Sequence, residues 1–432
     1  MFDTFRNAWK IEELRKRLLY TFLILVLFRL GCNVTVPYIA PGAMEQMFNS
    51  GNMLTYLNMM SGGALSQCAI FALGVTPYIN ASIIMQLLTV AIPALERMSK
   101  EGEEGRRKIT RITRYVGGGI ALVMSIGYWF ILRNMGALKY YTGWQTWFSM
   151  AVIILCFTAG ALLVTWMGEQ IDSKGIGNGV SLLIFAGIIS RWGNLFGTIG
   201  GMLTLAQSGK PQYYIYLPLL AVLALAVVVF VVVLTNAERR IPVQYAKRVV
   251  GRKMYGGQAS HIPIKVNMSG VMPVIFASAL CSIPSTIGSF ISFDRTAHPF
   301  WASFFDTFNY TSMVYMVIYM LLILAFNYFY VAIQYNPVEI ANNLRKNNGA
   351  IPGIRPGKPT SDFIAKCLSK ITLIGAVFLM LVAGLPILLA RITGMNIQLG
   401  GTSLLIVVGV ALDTSRSMES YMLMRHHKGF LE

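Results

Sequence analysis

Long apolar runs, separated by shorter polar segments, follow one another along this chain of 432 residues. A helix needs about 20 apolar residues to cross the hydrocarbon core of a bilayer. Most runs have that length, while the run at 180–189 and the run at 400–412 are shorter. The pattern predicts an all-α polytopic membrane protein with ten transmembrane helices. They are expected at 18–36, 70–92, 115–132, 147–167, 180–189, 213–234, 271–293, 313–333, 371–390 and 400–412.

Lysine and arginine are divided unequally between the two sides that ten spans define. An even number of spans places both termini on one side of the membrane. If that side is the cytoplasm, the cytoplasmic segments carry 29 basic residues and the external loops carry 6. Because cytoplasmic loops of membrane proteins have such an excess, we expect a multi-pass protein with both termini in the cytoplasm.

Ten spans also divide into two halves of five, at residues 1–205 and 206–432. An odd number of spans in each half gives the halves opposite orientations, as in membrane folds built from inverted repeats. The sequence shows no strong repeat, so the inverted arrangement is predicted from parity alone.

The segment at about 53–67 precedes the second span and is too polar and glycine-rich to cross the membrane. It is either an external loop or a short re-entrant segment. A re-entrant segment is tolerated only where it lines a cavity walled by protein. The composition favours the external loop.

Composition excludes a soluble globular protein, because charged residues make up only 12% of the chain and the mean hydropathy is +0.58. Average soluble domains carry about 25% charged residues. The net charge of +18 is confined to short loops between apolar runs, which argues against reading of duplex nucleic acid. The five cysteines show no CxxC motif and no pairing pattern, so we expect neither a disulfide framework nor a zinc site.

The predicted spans are almost free of ionisable side chains. Arg29 is the only charge well inside a span, and all four histidines lie outside the spans. Ion-coupled transporters and proton pumps need such groups in their spans, and no metalloprotease, serine-nucleophile or phosphate-loop motif is present. We therefore expect no catalytic residues, no metal and no cofactor. A small-solute secondary transporter remains the alternative function.

Two cytoplasmic loops, at about 236–267 and 336–370, are longer and more basic than a connection requires. Membrane orientation and attraction to anionic lipid, worth about 1 kcal/mol per basic residue, explain the charge. Proline and glycine near the tip of the second loop would hold Arg355 out in the cytosol. Ordered basic tips suit an acidic protein partner or RNA phosphates, and both explanations stay open.

Isoleucines recur four residues apart in two of the spans, as Ile79 with Ile83 and Ile184 with Ile188. This spacing places each pair on one face of a helix. Contact with lipid or ordinary packing is the favoured explanation. An apolar constriction that gates by expelling water would use the same residues, but the spacing does not distinguish it.

Nine short motifs, in order over almost the whole chain, resemble the bacterial SecY family. They are Gly62-Gly-Ala-Leu65, Ile70-Phe-Ala-Leu-Gly74, Pro77-Tyr-Ile-Asn-Ala-Ser82, Lys100-Glu-Gly102 with Gly105-Arg-Arg-Lys108, Gly175-Ile-Gly-Asn-Gly179, Glu238-Arg-Arg-Ile-Pro242, Lys265-Val-Asn267, Pro352-Gly-Ile-Arg-Pro-Gly357 and Gly400-Gly-Thr-Ser403. The resemblance implies the large subunit of a protein-conducting channel in the bacterial plasma membrane. Two five-helix halves would surround a central hourglass pore. Unfolded secretory preproteins would cross through it, and membrane-protein segments would leave through a lateral gate.

The resemblance also implies roles for particular residues. The pore ring would consist of Ile79, Ile83, Ile184, Ile188, Ile275 and Ile406. A plug at about 53–67 would include Leu57, Ser61, Gly62, Gly63, Ala64 and Leu65, which promotes the re-entrant alternative. Leu87, Ile283 and Ile287 would lie at the lateral gate, near a signal sequence. The residues expected to dock SecA or the ribosome are Arg239, Arg240, Lys247, Arg248 and Arg355.

The implied partners are the small membrane subunits SecE and SecG, the SecA ATPase, the ribosome, signal peptides, unfolded preproteins and anionic lipid. The physical chemistry agrees with this assignment. A channel for unfolded chains must pass every type of side chain, so fixed charges at its waist would hold some of them. An isoleucine ring has no charged or hydrogen-bonding side-chain groups to bind a substrate, and it expels water when no chain passes through it.

Overall fold

The computed structural model describes residues 9–40, 58, 61–141, 143–190, 212–245, 248–250, 253–255, 259–290, 312–393 and 401–428, with isolated positions between 192 and 307. Helices dominate the described ranges. They are α1 (Glu12–Gly31), α2 (Thr76–Ala91), α3 (Pro93–Lys100), α4 (Glu103–Asn134), α5 (Trp144–Lys174), α6 (Gly179–Ser190), α7 (Gln212–Asn236), α8 (Met272–Phe290), α9 (Met313–Gln334), α10 (Pro337–Lys346), α11 (Lys358–Thr393) and α12 (Gly401–Lys428).

Each predicted span overlaps one helix in this order, with α3 and α10 as additional short helices. Within the described part of the chain, α4, α5, α7, α9 and α11 include stretches long and apolar enough to cross a membrane. The α2–α3 pair forms a sixth candidate if it is one span bent by 100°. Two more, α6 and α8, are shorter apolar helices. The helix order is consistent with ten spans.

The start of the second span was predicted too early. The sequence pattern places it at residue 70, whereas residues 61–75 form buried turns and α2 begins at Thr76. Gly74 has a φ of +53°, which a helix cannot accommodate, and Pro77 fixes φ in the first turn of α2. The apolar run therefore continues through a segment that is packed between helices without being helical.

Close helix packing depends on glycines at two positions. A Cβ atom on Gly160 of α5 would lie 2.0 Å from the carbonyl oxygen of Ile70, and one on Gly179 of α6 would lie 2.0 Å from that of Gly168. Small residues allow membrane helices to approach closely in this way. The turns before α2 and the start of α6 are therefore held directly against α5.

The two long basic loops, which the sequence predicts to be cytoplasmic, share a three-stranded antiparallel sheet that the all-α prediction did not include. Strand β1 (Glu238–Tyr245) pairs with β4 (Ala259–Lys265) on one side and with β5 (Gly349–Ala350) on the other. A separate hairpin joins β2 (Arg248–Val250) and β3 (Lys253–Tyr255). The sheet packs on α10 and the start of α11 around a buried apolar cluster that includes Ile241, Leu344 and Ile364.

Charged residues connect the base of this sheet to the helices below it. Arg416 of α12 donates hydrogen bonds of 2.8 Å to the Thr235 carbonyl and to Oδ1 of Asn236, at the end of α7. Lys265 ends β4 opposite Glu238. Partial burial lowers the pKa of Lys265, and the nearby Arg416 cation lowers it further. Arg416 thus ties α12 to the end of α7, two residues before β1 begins.

Candidate functional site

Six isoleucines from four helices lie in one buried cluster at the centre of the helices. Their side chains are 1–5% exposed. Contact with lipid, one of the two explanations that the spacing favoured for Ile79, Ile83, Ile184 and Ile188, is therefore wrong for those four residues. Helices from both halves of the chain contribute to the cluster. The members are Ile79 and Ile83 of α2, Ile184 and Ile188 of α6, Ile275 of α8 and Ile406 of α12.

The position of α6 follows from the glycine-rich turn before it. Gly177 has a φ of +81°, which reverses the chain after α5. The Asn178 side chain accepts a hydrogen bond of 3.0 Å from the Ser181 amide, and Asp172 accepts one of 2.6 Å from the Gly179 amide. Side-chain acceptors at this end satisfy amides that have no partner within the helix. They fix the short apolar helix that carries Ile184 and Ile188.

A cavity of about 190 Å³ lies beside the isoleucine cluster. Ile79, Ile184 and Ile275 form part of its wall. Its polar lining comes from Tyr78, Ser82, Gln86, Asp172, Asn178 and Ser181. The cavity lies at the end of α5 that carries Lys174, which is the predicted cytoplasmic side. The cavity therefore has polar walls on one part of its lining and isoleucines of the buried cluster on another.

The described part of the predicted plug packs against the same cluster. Ala64 is fully buried and belongs to it, and Ser61 and Leu65 are 3% and 4% exposed. Gly62 and Gly63 have φ values of +69° and +89°, which make a tight turn. Leu57 lies outside the described residues. Burial of Ser61–Leu65 among helices favours the re-entrant alternative over an external loop.

Two side chains from outside the segment bond to its backbone. Arg29 of α1 donates a hydrogen bond of 2.7 Å to the Gly62 carbonyl, and Tyr128 of α4 donates one of 2.6 Å to the Leu65 carbonyl. The charge of Arg29 within an apolar span was a signal in the sequence. Nothing in the sequence distinguished Tyr128 from other buried aromatic residues.

The three predicted gate residues lie outside the central cluster. Leu87 of α2 and Ile283 and Ile287 of α8 are 40%, 39% and 45% exposed. Helix α8 of the second half packs on α2 and α4 of the first half. The residues therefore present apolar surface along helices that meet between the two halves.

The predicted docking residues are on or beside the shared sheet. Arg239 and Arg240 are exposed on β1, where Nε of Arg240 donates to the Glu238 carboxylate at 2.8 Å. Arg248 begins β2, and Lys247 lies outside the described residues. Arg355 is exposed in the turn before α11. The structure thus joins Arg239, Arg240 and the turn carrying Arg355 to one sheet and its helices.

Comparison with known proteins gives consistent matches over most of the chain. The sequence model of the SecY family matches residues 69–415. The protein translocase subunit SecY of Halalkalibacterium halodurans is 41% identical, with all of both chains covered. That of Thermus thermophilus is 43% identical, with all of this chain and 98% of the relative covered.

Solved structures of protein-conducting channels have the same fold. One such channel superposes with a TM-score of 0.65 at 19% identity, covering 94% of this chain and 92% of the other. A SecY structure whose plug domain stabilises the closed state gives 0.60 at 18% identity, with the same coverage. Sec61 in a canine ribosome–channel complex gives 0.62 at 17% identity, again with the same coverage.

Proposed function

Since this chain belongs to the SecY family, as its motifs indicated, we propose that it is the central channel subunit of a protein translocase. It passes unfolded preproteins across the membrane and releases membrane-protein segments into lipid. The observation that carries this function is that six isoleucines from both halves belong to one buried cluster, and that Ile79, Ile184 and Ile275 line a cavity with polar walls.

The isoleucine cluster suits the waist of such a channel. Isoleucine side chains carry no hydrogen-bonding groups, so they hold no particular substrate side chain. A narrow apolar passage expels water when it is empty, and this closes the route for ions. In this proposal, the Ser61–Leu65 turn is the described part of a plug that fills the remaining space on one side of the ring.

Helix α8 provides a mechanical link between the ring and the lateral gate. It contributes Ile275 to the buried cluster and carries Ile283 and Ile287 as exposed apolar residues further along. Movement of α8 away from α2 would widen the ring and open the contact between the halves together. An apolar signal segment entering there gains roughly 0.8 kcal/mol for each CH₂ group that it transfers from water to lipid.

We further propose that the cytoplasmic sheet receives the energy source. The chain shows no nucleotide-binding motif, so the driving force comes from a bound SecA ATPase or from synthesis on a docked ribosome. The exposed Arg239, Arg240 and Arg355 support this role, because arginine binds carboxylates and phosphates in a bidentate manner. The other basic residues of the loops attract anionic lipid.

Exposed apolar faces of the helices leave room for lipid and for the small subunits SecE and SecG. On α1, Phe22 is 66% exposed, and on α7, Val222 and Leu225 are 65% and 67% exposed. The charge distribution supports a bacterial plasma-membrane location with both termini in the cytoplasm. We propose no catalytic step and no cofactor for this chain.

Reconstitution tests the proposed function directly. The chain, purified with SecE and SecG in proteoliposomes, should carry a preprotein into a protease-protected space when SecA and ATP are present. Omitting ATP is the control. If an intact complex leaves the preprotein accessible to protease but takes up a small solute along an ion gradient, the alternative of a secondary transporter is correct.

A further inference from the structure

Arg29 occupies an unusual position for a charged residue. It lies in the last turn of α1, inside a predicted membrane span. Charges at such depth are costly and commonly mark functional sites, although the end of a helix dipole stabilises a cation there. Among the described residues, no carboxylate forms an ion pair with Arg29. Its guanidinium instead donates to the Gly62 carbonyl at 2.7 Å.

Gly62 lies between this guanidinium and helix α6. A Cβ atom on Gly62 would lie 3.2 Å from Nη1 of Arg29 and 3.1 Å from the Cα atom of Gly187 on α6. Cys32, which follows α1, donates a weaker bond of 3.6 Å to the Ser61 carbonyl. The end of α1 therefore presses the Ser61–Gly62 turn against the helix that carries Ile184 and Ile188.

The two ends of the turn belong to different buried clusters. Ala64 belongs to the cluster that includes the six isoleucines, whereas Leu65 and Cys68 belong to a second cluster with Tyr128 and Phe157. Tyr128 is 3% exposed and bonds to the Leu65 carbonyl at 2.6 Å. Leu65 and Cys68 are thus fixed to α4 and α5, while Ala69, Phe71 and Val75 further along the segment belong to the isoleucine cluster.

We propose that Arg29 is a latch that holds the Ser61–Ala64 turn against the ring, and that the turn swings about Leu65 when the latch opens. This inference rests on the proposed channel function. Arg29 is only half-buried, so in an open, water-filled pore it exchanges the carbonyl for water at little cost. The Tyr128 hydroxyl cannot exchange the Leu65 carbonyl for water in the same way, because it is enclosed by apolar side chains. Its hydrogen bond therefore holds the Leu65 end of the turn in place.

The test compares two arginines in equivalent helix positions. Arg133 lies in the last turn of α4, with its guanidinium over the Trp129 ring at 5.4 Å, away from the turn. Arg29→Met removes the donor and keeps an unbranched, apolar side chain that suits a membrane helix. Arg133→Met is the matched control. Arg29→Lys keeps a cationic donor and should restore the latch.

The readouts are ion leak through the reconstituted complex with SecE and SecG and thiol labelling of native cysteines, located by peptide mass spectrometry. Cys32 is 1% exposed and lies under the turn, and Cys68 is 4% exposed and lies beyond Leu65. Loss of one hydrogen bond to a charged group should raise the leak and the Cys32 labelling rate roughly ten-fold in Arg29→Met. Cys68 labelling, Arg29→Lys and Arg133→Met should stay at the unsubstituted level.

Three results would overturn the latch. In the first, Arg29→Met changes neither the ion leak nor the Cys32 labelling rate, while Ile275→Asn does leak. The ring assignment would then stand, and the proposed role of Arg29 would be wrong. Equal exposure of Cys32 and Cys68 would show that Arg29 supports the fold generally. If neither Arg29→Met nor Ile275→Asn leaks, the proposed ring fails and the latch fails with it.

Discussion

Glycine at single positions decides how closely the helices around the ring can approach. Gly160→Ala should destabilise the protein, because the added methyl group would lie 2.0 Å from the Ile70 carbonyl oxygen, and backbone cannot yield cheaply. Gly119→Ala on α4 is the control, since its Cβ would meet nothing within 4 Å and alanine favours a helix by about 1 kcal/mol over glycine. Thermal unfolding of both variants in detergent measures the difference. Equal midpoints would mean that α5 and the turn can separate freely.

Polar substitution within the ring should open the closed channel. Ile275→Asn or Ile406→Asn places an amide among side chains that are 1–2% exposed, so water persists where the apolar ring would exclude it. The channel should leak ions and accept preproteins with defective signal sequences, because less binding energy is needed to shift it to the open state.

Ile374 provides the matched position for this prediction. It lies on α11 and is 56% exposed, so Ile374→Asn should change neither leak nor signal selectivity. The comparison uses ion flux and export of a signal-defective substrate in all three variants. If the two ring variants behave like Ile374→Asn, the ring assignment is wrong even though the family assignment stands.

What the sequence could show about single residues depended on periodicity. Ile79 with Ile83 and Ile184 with Ile188 share helix faces because they are four residues apart, but spacing does not reveal which face turns inward. Ile275 and Ile406 have no such partner in the pattern, and only the family resemblance singled them out. Tyr128 was missed, because its bond to Leu65 joins residues 63 positions apart.

At the scale of elements, the start of α6 controls the orientation of two ring residues. Asn178→Ala removes the acceptor for the Ser181 amide and should cost about 1 kcal/mol, as is typical for loss of a helix cap. Because α6 carries Ile184 and Ile188, the ion leak should rise as well. Asn336→Ala removes the corresponding cap of α10, where Asn336 accepts from the Val338 amide at 3.1 Å.

Comparing the two cap variants distinguishes an effect on the stability of the fold from an effect on the ion leak. Both variants should lower the unfolding temperature by similar amounts. Only Asn178→Ala should raise the ion leak, since α10 packs with the sheet and carries none of the ring isoleucines. Ion-flux measurements on the two reconstituted variants test this difference in leak. A leak of equal size in both would indicate general loosening of the fold instead of misplacement of α6.

Hydrophobic runs located all the described helices except the short α3 and α10, because helices buried in lipid and helices buried in protein both need apolar residues. The same ambiguity explains the error at the second span, where the buried turns at 70–75 were predicted as membrane helix. The cytoplasmic sheet was missed for a different reason. In the sequence, the two loops differ from ordinary connections only in length and charge. The pairing of Gln244 with Ala350 joins residues more than 100 positions apart, so no local pattern predicts it.

At the scale of the whole molecule, the shared sheet joins the two long basic loops into one structural unit. Strand β5 of the second loop pairs with β1 of the first, and α11 continues from the Arg355 turn into the membrane part of the fold. Force applied by a partner at this surface therefore reaches helices α7 and α11 together. This continuity gives a physical route from docking to movement of the membrane helices.

Arg355 is the residue where docking should be most sensitive. Gly353 and Gly357, with φ values of +80° and +108°, shape the turn around it, and the Thr360 hydroxyl donates to the Arg355 carbonyl at 2.9 Å. The exposed side chain is thus presented on an ordered backbone. Arg355→Glu should reduce SecA-driven translocation roughly ten-fold or more, through loss of one charged contact and addition of a repulsive one.

Arg345→Glu is the control for net charge, because Arg345 is also exposed in the same loop but lies in the last turn of α10. Both variants change the charge of the loop by the same amount, so a purely electrostatic attraction to lipid would weaken equally in both. A specific contact would be lost only in Arg355→Glu, with folding and resting ion leak unchanged because no membrane helix is altered. ATP-driven export and SecA binding, measured for both variants, therefore distinguish the two explanations that the sequence left open. If export falls equally in both variants, the basic loops act through attraction to lipid. If Arg355→Glu exports as much preprotein as the unsubstituted protein, Arg355 has no docking role.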